Sequence, residues 1–197
     1  YYGGSSKRNI KNVDLKNNRK NTWGTGLIFN HEIDSIQNVT VAAGFTRQIS
    51  ENANKTAYYS NAYALGLAYN FVHTTYGLDL AHKDTKNKGG AGNKVKNNEV
   101  TAVIRQGLNE DWNVYAMYSY KTEKTLPAGS AYSKSTDRQF LVGTEYYVFT
   151  QGSVKVKPFI EWQATRTKYE NTFDKDSGKQ LDRSRDFKTV IGLRAYW

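Results

Sequence analysis

The chain has no cysteine, two prolines and three histidines in 197 residues. Without cysteine there is no disulfide framework and no thiolate metal site. With so little proline, long strands run uninterrupted, because proline cannot donate to a ladder. The histidines are His31, His73 and His82. None has the Asp and Ser companions of a hydrolytic triad, and metal-ligand spacing is absent. The expectation is therefore a non-enzyme with no catalytic residue, no metal and no cofactor. Gly89-Gly90-Ala91-Gly92 lacks the Lys-Ser/Thr ending and strand-to-helix setting of a phosphate loop. No apolar run approaches the ~20 residues of a membrane helix, and mean hydropathy is -0.74. Neither value excludes a membrane β-barrel, which hides its apolar residues at alternate positions.

What is present is alternation. Aromatics are 14% of the chain, with 15 tyrosines and 4 tryptophans, a composition suited to strands. The last segment, Asp186 to Trp197, places Phe187, Thr189, Ile191, Leu193, Ala195 and Trp197 on one face and Asp186, Lys188, Val190, Gly192, Arg194 and Tyr196 on the other. Eight further segments alternate in the same way: Thr22–Ile33, Asn38–Gln48, Tyr59–Phe71, Thr75–Ala81, Glu99–Arg105, Trp112–Lys121, Gln139–Val148 and Val154–Gln163.

The connections alternate too. Short turns at 34–37, 72–74, 109–111 and 150–152 separate long polar loops through 51–56, 83–98, 122–137 and 167–183. This order predicts an all-β, antiparallel up-and-down transmembrane β-barrel, a single domain over 1–197, with its long loops outside and its C-terminus at the periplasmic side of a bacterial outer membrane. Counting back leaves only Tyr1 to Gly4 for the first strand, against the ~9–11 residues a spanning strand needs. The N-terminal strand is thus expected to be incomplete and the barrel to have about 10–12 strands. Trp23, Tyr59, Tyr120, Phe140 and Trp162 fall toward the outer rim, and Phe71, Trp112 and Trp197 toward the periplasmic rim, as two interfacial girdles.

The formal net charge of +10 raises a soluble, nucleic-acid-binding β protein as an alternative. The barrel pattern outweighs it, and no nucleic-acid partner is expected. Inward positions carry Arg105, Lys121, Lys155, Lys157, Lys188 and Arg194 as candidates to line a lumen, with acidic residues between them. Two readings compete: a channel for small polar or anionic solutes, or a closed structural, adhesive or partner-binding barrel whose interior charges neutralise one another. Expected partners are outer-membrane lipid and lipopolysaccharide, attracted by the basic loops, and the solutes themselves. The second reading adds another outer-membrane protein.

Two stretches, Asn109 to Tyr120 and Lys157-Pro158-Phe159-Ile160-Glu161-Trp162 followed by the closing strand, resemble the oligogalacturonate-specific porin family of Gram-negative outer membranes, which includes sialic-acid porins. The resemblance implies a small monomeric twelve-stranded barrel passing acidic oligosaccharides through a basic lumen. The closing strand also resembles those of bacterial outer-membrane barrels, whose C-terminal aromatic is read by the barrel-assembly machinery. Trp197 stands where those proteins usually end on Phe.

Overall fold

Residues with a two-residue hydrophobic period form strands because each strand can then turn one apolar and one polar face. A computed structural model of the chain describes residues 2–3, 18–51, 57–87, 94–127, 131–151, 154–173 and 178–196. They form β1 (Tyr2–Gly3), β2 (Asn18–Asp34), β3 (Gln37–Glu51), β4 (Ala57–Phe71), β5 (Thr74–Asn87), β6 (Lys94–Gly107), β7 (Trp112–Leu126), β8 (Ser133–Tyr146), β9 (Phe149–Gln151), β10 (Val154–Glu170) and β11 (Arg183–Tyr196). There is no helix among the described residues.

All strands belong to one antiparallel sheet in chain order, with the short β9 folding back on β10 alone. The nine long strands are the nine expected segments. β1 pairs antiparallel with β2, Tyr2 opposite Trp23 and Gly3 opposite Thr22. Among the described residues no ladder joins β11 to β1 or β2, so the sheet stays open there. The two residues of β1 offer too little backbone to match the fourteen of β11.

Two local features differ from the sequence expectation. The seventh segment stops at Tyr146, not Val148. Its backbone leaves the ladder there: the Tyr147 amide donates to the Asp111 carbonyl and the Val148 amide to Val156. The long loops are also shorter than expected, because β5 continues to Asn87, β7 to Leu126 and β10 to Glu170. Polar side chains carry no alternation signal there, yet the ladder hydrogen bonds continue regardless of side-chain polarity.

The sheet is inside-out relative to a water-soluble domain. Among the described residues no apolar side chain is buried, and the buried ones are Thr22, Asn113, Ser119, Thr136, Glu145 and Lys157. Leu27 and Ile191, by contrast, are 71% and 77% exposed. The register joins Phe29, Val41, Leu67, Leu78, Ala102, Tyr118, Phe140, Ala164 and Phe187 into one row on the apolar face. That row starts near the short-turn end of β2 and finishes near the long-loop end of β11. Such a stagger is the shear that tilts strands in a curved sheet.

Candidate functional site: a charged cluster on the concave face

The polar face curves inward, because its side chains meet across intervening strands. Arg105 on β6 reaches over β7 to Glu145 on β8, at 2.9 Å. Tyr115 on β7 reaches over β8 and donates its hydroxyl to Glu161 on β10, at 2.6 Å. Glycine makes both the second reach and a neighbouring one sterically open. Tyr115 stands opposite Gly143, where a Cβ would lie 2.5–2.7 Å from the tyrosine ring. Phe159 stands opposite Gly192, where a Cβ would lie 2.5 Å from the phenyl ring.

Glu145 is the centre. It is 4% exposed and receives three cations: Arg105, Lys157 at 2.8 Å and Arg194 at 2.8 Å. Arg194 also donates to Glu161 at 2.7 Å, and its guanidinium lies 4.0 Å from the Phe159 ring centroid. Lys157 lies 5.0 Å from the Tyr147 ring centroid. A buried carboxylate is tolerated only when paired and hydrogen-bonded, and both Glu145 oxygens are. Three cations face two carboxylates, so the cluster keeps one positive charge in excess.

The six expected lumen residues therefore separate. Arg105, Lys157 and Arg194 come together, with Lys157 directly opposite Arg194. Lys155 is exposed and lies 5.8 Å from the Tyr147 ring centroid. Lys188 stands opposite Gln163, away from the cluster, and pairs with Asp186 at 3.0 Å. Lys121 lines a different cavity of about 460 Å³ near the long loops, with Lys83, Glu99 and Glu123 and the small residues Gly44, Ala62, Ala64 and Ala81. The concave wall is thus asymmetric. β3 to β5 present small side chains, and β7 to β11 present large polar and aromatic ones.

The expected girdle residues lie on the apolar face. Trp23 meets Phe45 edge-on at 5.1 Å, and Phe45 meets Tyr63 at 5.0 Å. Arg47 lies over Tyr59 and Arg138 over Tyr120. Phe71 is exposed at the end of β4. Trp112 donates its indole N–H to Thr144 at 2.6 Å. Trp162 contacts Phe140 at 6.5 Å and Phe187 at 6.2 Å between ring centroids. Trp197 lies outside the described residues.

Alternation already put Glu145 and Glu161 among the inward acidic residues, and both join the cluster; sequence reasoning missed Tyr115 as a member of the site. The usable signal was the inward Gly143 and Gly192, each beside a strand with an inward aromatic. Among the described residues no group of His, Asp and Glu is arranged to hold a metal ion. Comparison with protein-family models, curated proteins and solved structures finds no match for this chain.

Proposed function

We propose that the chain forms a transmembrane β-barrel of a bacterial outer membrane and passes small polar or anionic solutes, acidic oligosaccharides among them. One observation carries this reading. The described residues bury charge and expose aliphatic and aromatic side chains, the reverse of a water-soluble core and the distribution a bilayer selects. A fourteen-residue strand tilted by ~40° rises about 35 Å, against an apolar band ~25 Å tall. The strand ends near the long loops would then stand in water, where their polar residues belong.

Passage rests on the asymmetric wall. The small side chains of β3 to β5 leave space beside the large ones of β7 to β11. The net positive cluster around Glu145 and the mixed charges near Lys121 line the route. Charged rings of this kind set ion preference in pores. Closure would unite β11 with the strand to which Tyr2 and Gly3 belong, leaving no unpaired edge in lipid. The C-terminal strand would be the part recognised by the assembly machinery.

A second reading is favoured by the complete pairing of Arg105, Lys157 and Arg194. Three cations locked to two carboxylates also suit a closed barrel that serves as an adhesive or partner-binding surface. Planar-bilayer recording of the folded protein separates the two. Stepwise conductance is the expected result, with reversal potentials favouring anions. A folded barrel that carries no current would leave the closed reading, and cation selectivity would remove the anion preference.

A further inference from the structure

The apolar face carries a second charged feature, at the long-loop ends of β7 to β11. On this face the register sets Arg138 opposite Arg166 and Arg166 opposite Arg185. One step further out, Lys168 stands opposite Arg183. Beyond that, Lys124 stands opposite Lys134. Directly opposed residues have Cβ atoms only ~5 Å apart, and like charges there are destabilising. Two carboxylates lie among them: Glu170, 3.6 Å from Lys134 and 3.8 Å from Lys168, and Asp182, 3.8 Å from Arg183. Among the described residues no carboxylate pairs with Arg138, Arg166 or Arg185; Arg138 has only the Tyr120 ring, at 5.9 Å. Arg138 and Arg166 border a cleft of about 350 Å³ with Lys134, Lys168, Glu170 and Arg183, and Arg185 stands beside Arg166 at its edge.

The contrast with the concave face is chemical. There each cation of the cluster has a carboxylate. Here three arginines form a row with none, in a geometry that repels. Such a row is stabilised when an external anion bridges it, and guanidinium forks match phosphate oxygens in bidentate pairs. Position narrows the anion. Phe140 lies two residues below Arg138 on the same face, and Phe187 two residues below Arg185. At ~3.3 Å per residue the aromatics sit about 7 Å from the guanidinium row, toward the short turns. Trp162 lies between them. A ligand satisfying both levels has a phosphorylated head and hydrocarbon tails.

We propose that this patch is a binding site for a phosphorylated glycolipid of the outer leaflet, of the lipid A class. Arg138, Arg166 and Arg185 bridge its phosphates, and Phe140, Trp162 and Phe187 lie along its acyl chains. The proposal rests on the membrane reading above, so its test has two arms. In the first, the full chain and its variants are folded into phosphatidylcholine vesicles and checked for a heat-modifiable band. Failure of the wild type here removes the membrane reading and this site with it.

In the second arm, the protein in zwitterionic detergent is titrated with diphosphoryl lipid A, with lipid A stripped of phosphate, and with inorganic phosphate, and bound species are counted by native mass spectrometry. The expected result is at least roughly tenfold tighter binding of the diphosphoryl form than of the stripped form. The triple variant Arg138→Gln, Arg166→Gln, Arg185→Gln loses that ratio, and Arg47→Gln, beside Tyr59 on another part of the same face, keeps it. The triple variant relieves like-charge repulsion, so it is expected to fold. Equal binding of the two lipids, or an unchanged ratio in the triple variant, overturns the site. Displacement of the lipid by inorganic phosphate makes it a free-phosphate site and also overturns the proposal.

Discussion

Replacing Glu145 with Gln tests the centre of the concave cluster most directly. The carboxylate is 4% exposed, and the Lys157 side chain beside it is 7% exposed. Removing one partner of a buried pair costs about 3–5 kcal/mol, because the other charge is left desolvated. The other two partners weigh less. The Arg105 and Arg194 side chains are 43% and 36% exposed, and water screens such pairs to about 0.2–1 kcal/mol each. Arg194 also keeps Glu161. The loss is therefore dominated by Lys157, and Glu145→Gln is expected to destabilise by about 3–5 kcal/mol. Urea unfolding from phosphatidylcholine vesicles, followed by tryptophan fluorescence, measures it. The same variant leaves three cations against one carboxylate, so the reversal potential should move further toward anions. Replacing both partners, as Glu145→Leu with Lys157→Met, should recover most of the stability, since apolar replacement of a buried pair is often neutral. A single-variant loss under about 1 kcal/mol, or a double variant as unstable as the single, would refute the view that Lys157 is held by Glu145.

Position on the two faces predicts opposite responses to the same charge. Ile160→Arg on the apolar face should cost about 2–4 kcal/mol in vesicles, whereas Gln163→Arg on the concave face should be close to neutral; equal effects would remove the assignment of faces. Gly143→Val should push Tyr115 off Glu161 and cost about 1–3 kcal/mol, and adding Tyr115→Ala should restore part of it, a double-mutant cycle that would read zero if the ring did not cross Gly143. Val72 is a β-branched residue at φ 54° in the turn between β4 and β5. Val72→Gly should stabilise by about 1 kcal/mol through strain relief, and a lower urea midpoint would contradict that strain.

The nine long strands were legible because apolar side chains at alternate positions leave a trace, as in Tyr59 to Phe71. Their outer ends were not. Lys83 to Asn87 and Thr122 to Thr125 are polar on both faces, so nothing in side-chain polarity distinguished strand from loop there. The candidate site was half legible. Alternation placed Arg105, Lys157 and Arg194 on one face, but the partner of each depends on register. Register is set by turn lengths and by where β8 leaves the ladder at Tyr146. Lys188 illustrates the gap: it shares a face with Arg194 on β11, yet five residues of strand lie between them and it pairs locally with Asp186.

The two charge populations differ for a physical reason. On the concave face of the curved sheet a charge is crowded by side chains reaching across from neighbouring strands, so it needs a partner from the same chain. Glu145 and Glu161 supply it for Arg105, Lys157 and Arg194. On the apolar face beyond the aromatic row no side chains reach across from facing strands, and the nearest material is the surrounding medium. If that medium were water alone, acidic side chains would be the simplest relief for Arg138, Arg166 and Arg185. Acidic residues are available to this sequence, with 18 in the chain, yet among the described residues Glu170 and Asp182 pair only with Lys134, Lys168 and Arg183 and leave the three arginines without one. An environment that itself carries phosphate at that height removes the need for internal carboxylates and would make them unfavourable. The uneven placement of acids on the two faces is thus the same inside-out ordering seen in the burial of Glu145 and the exposure of Ile191.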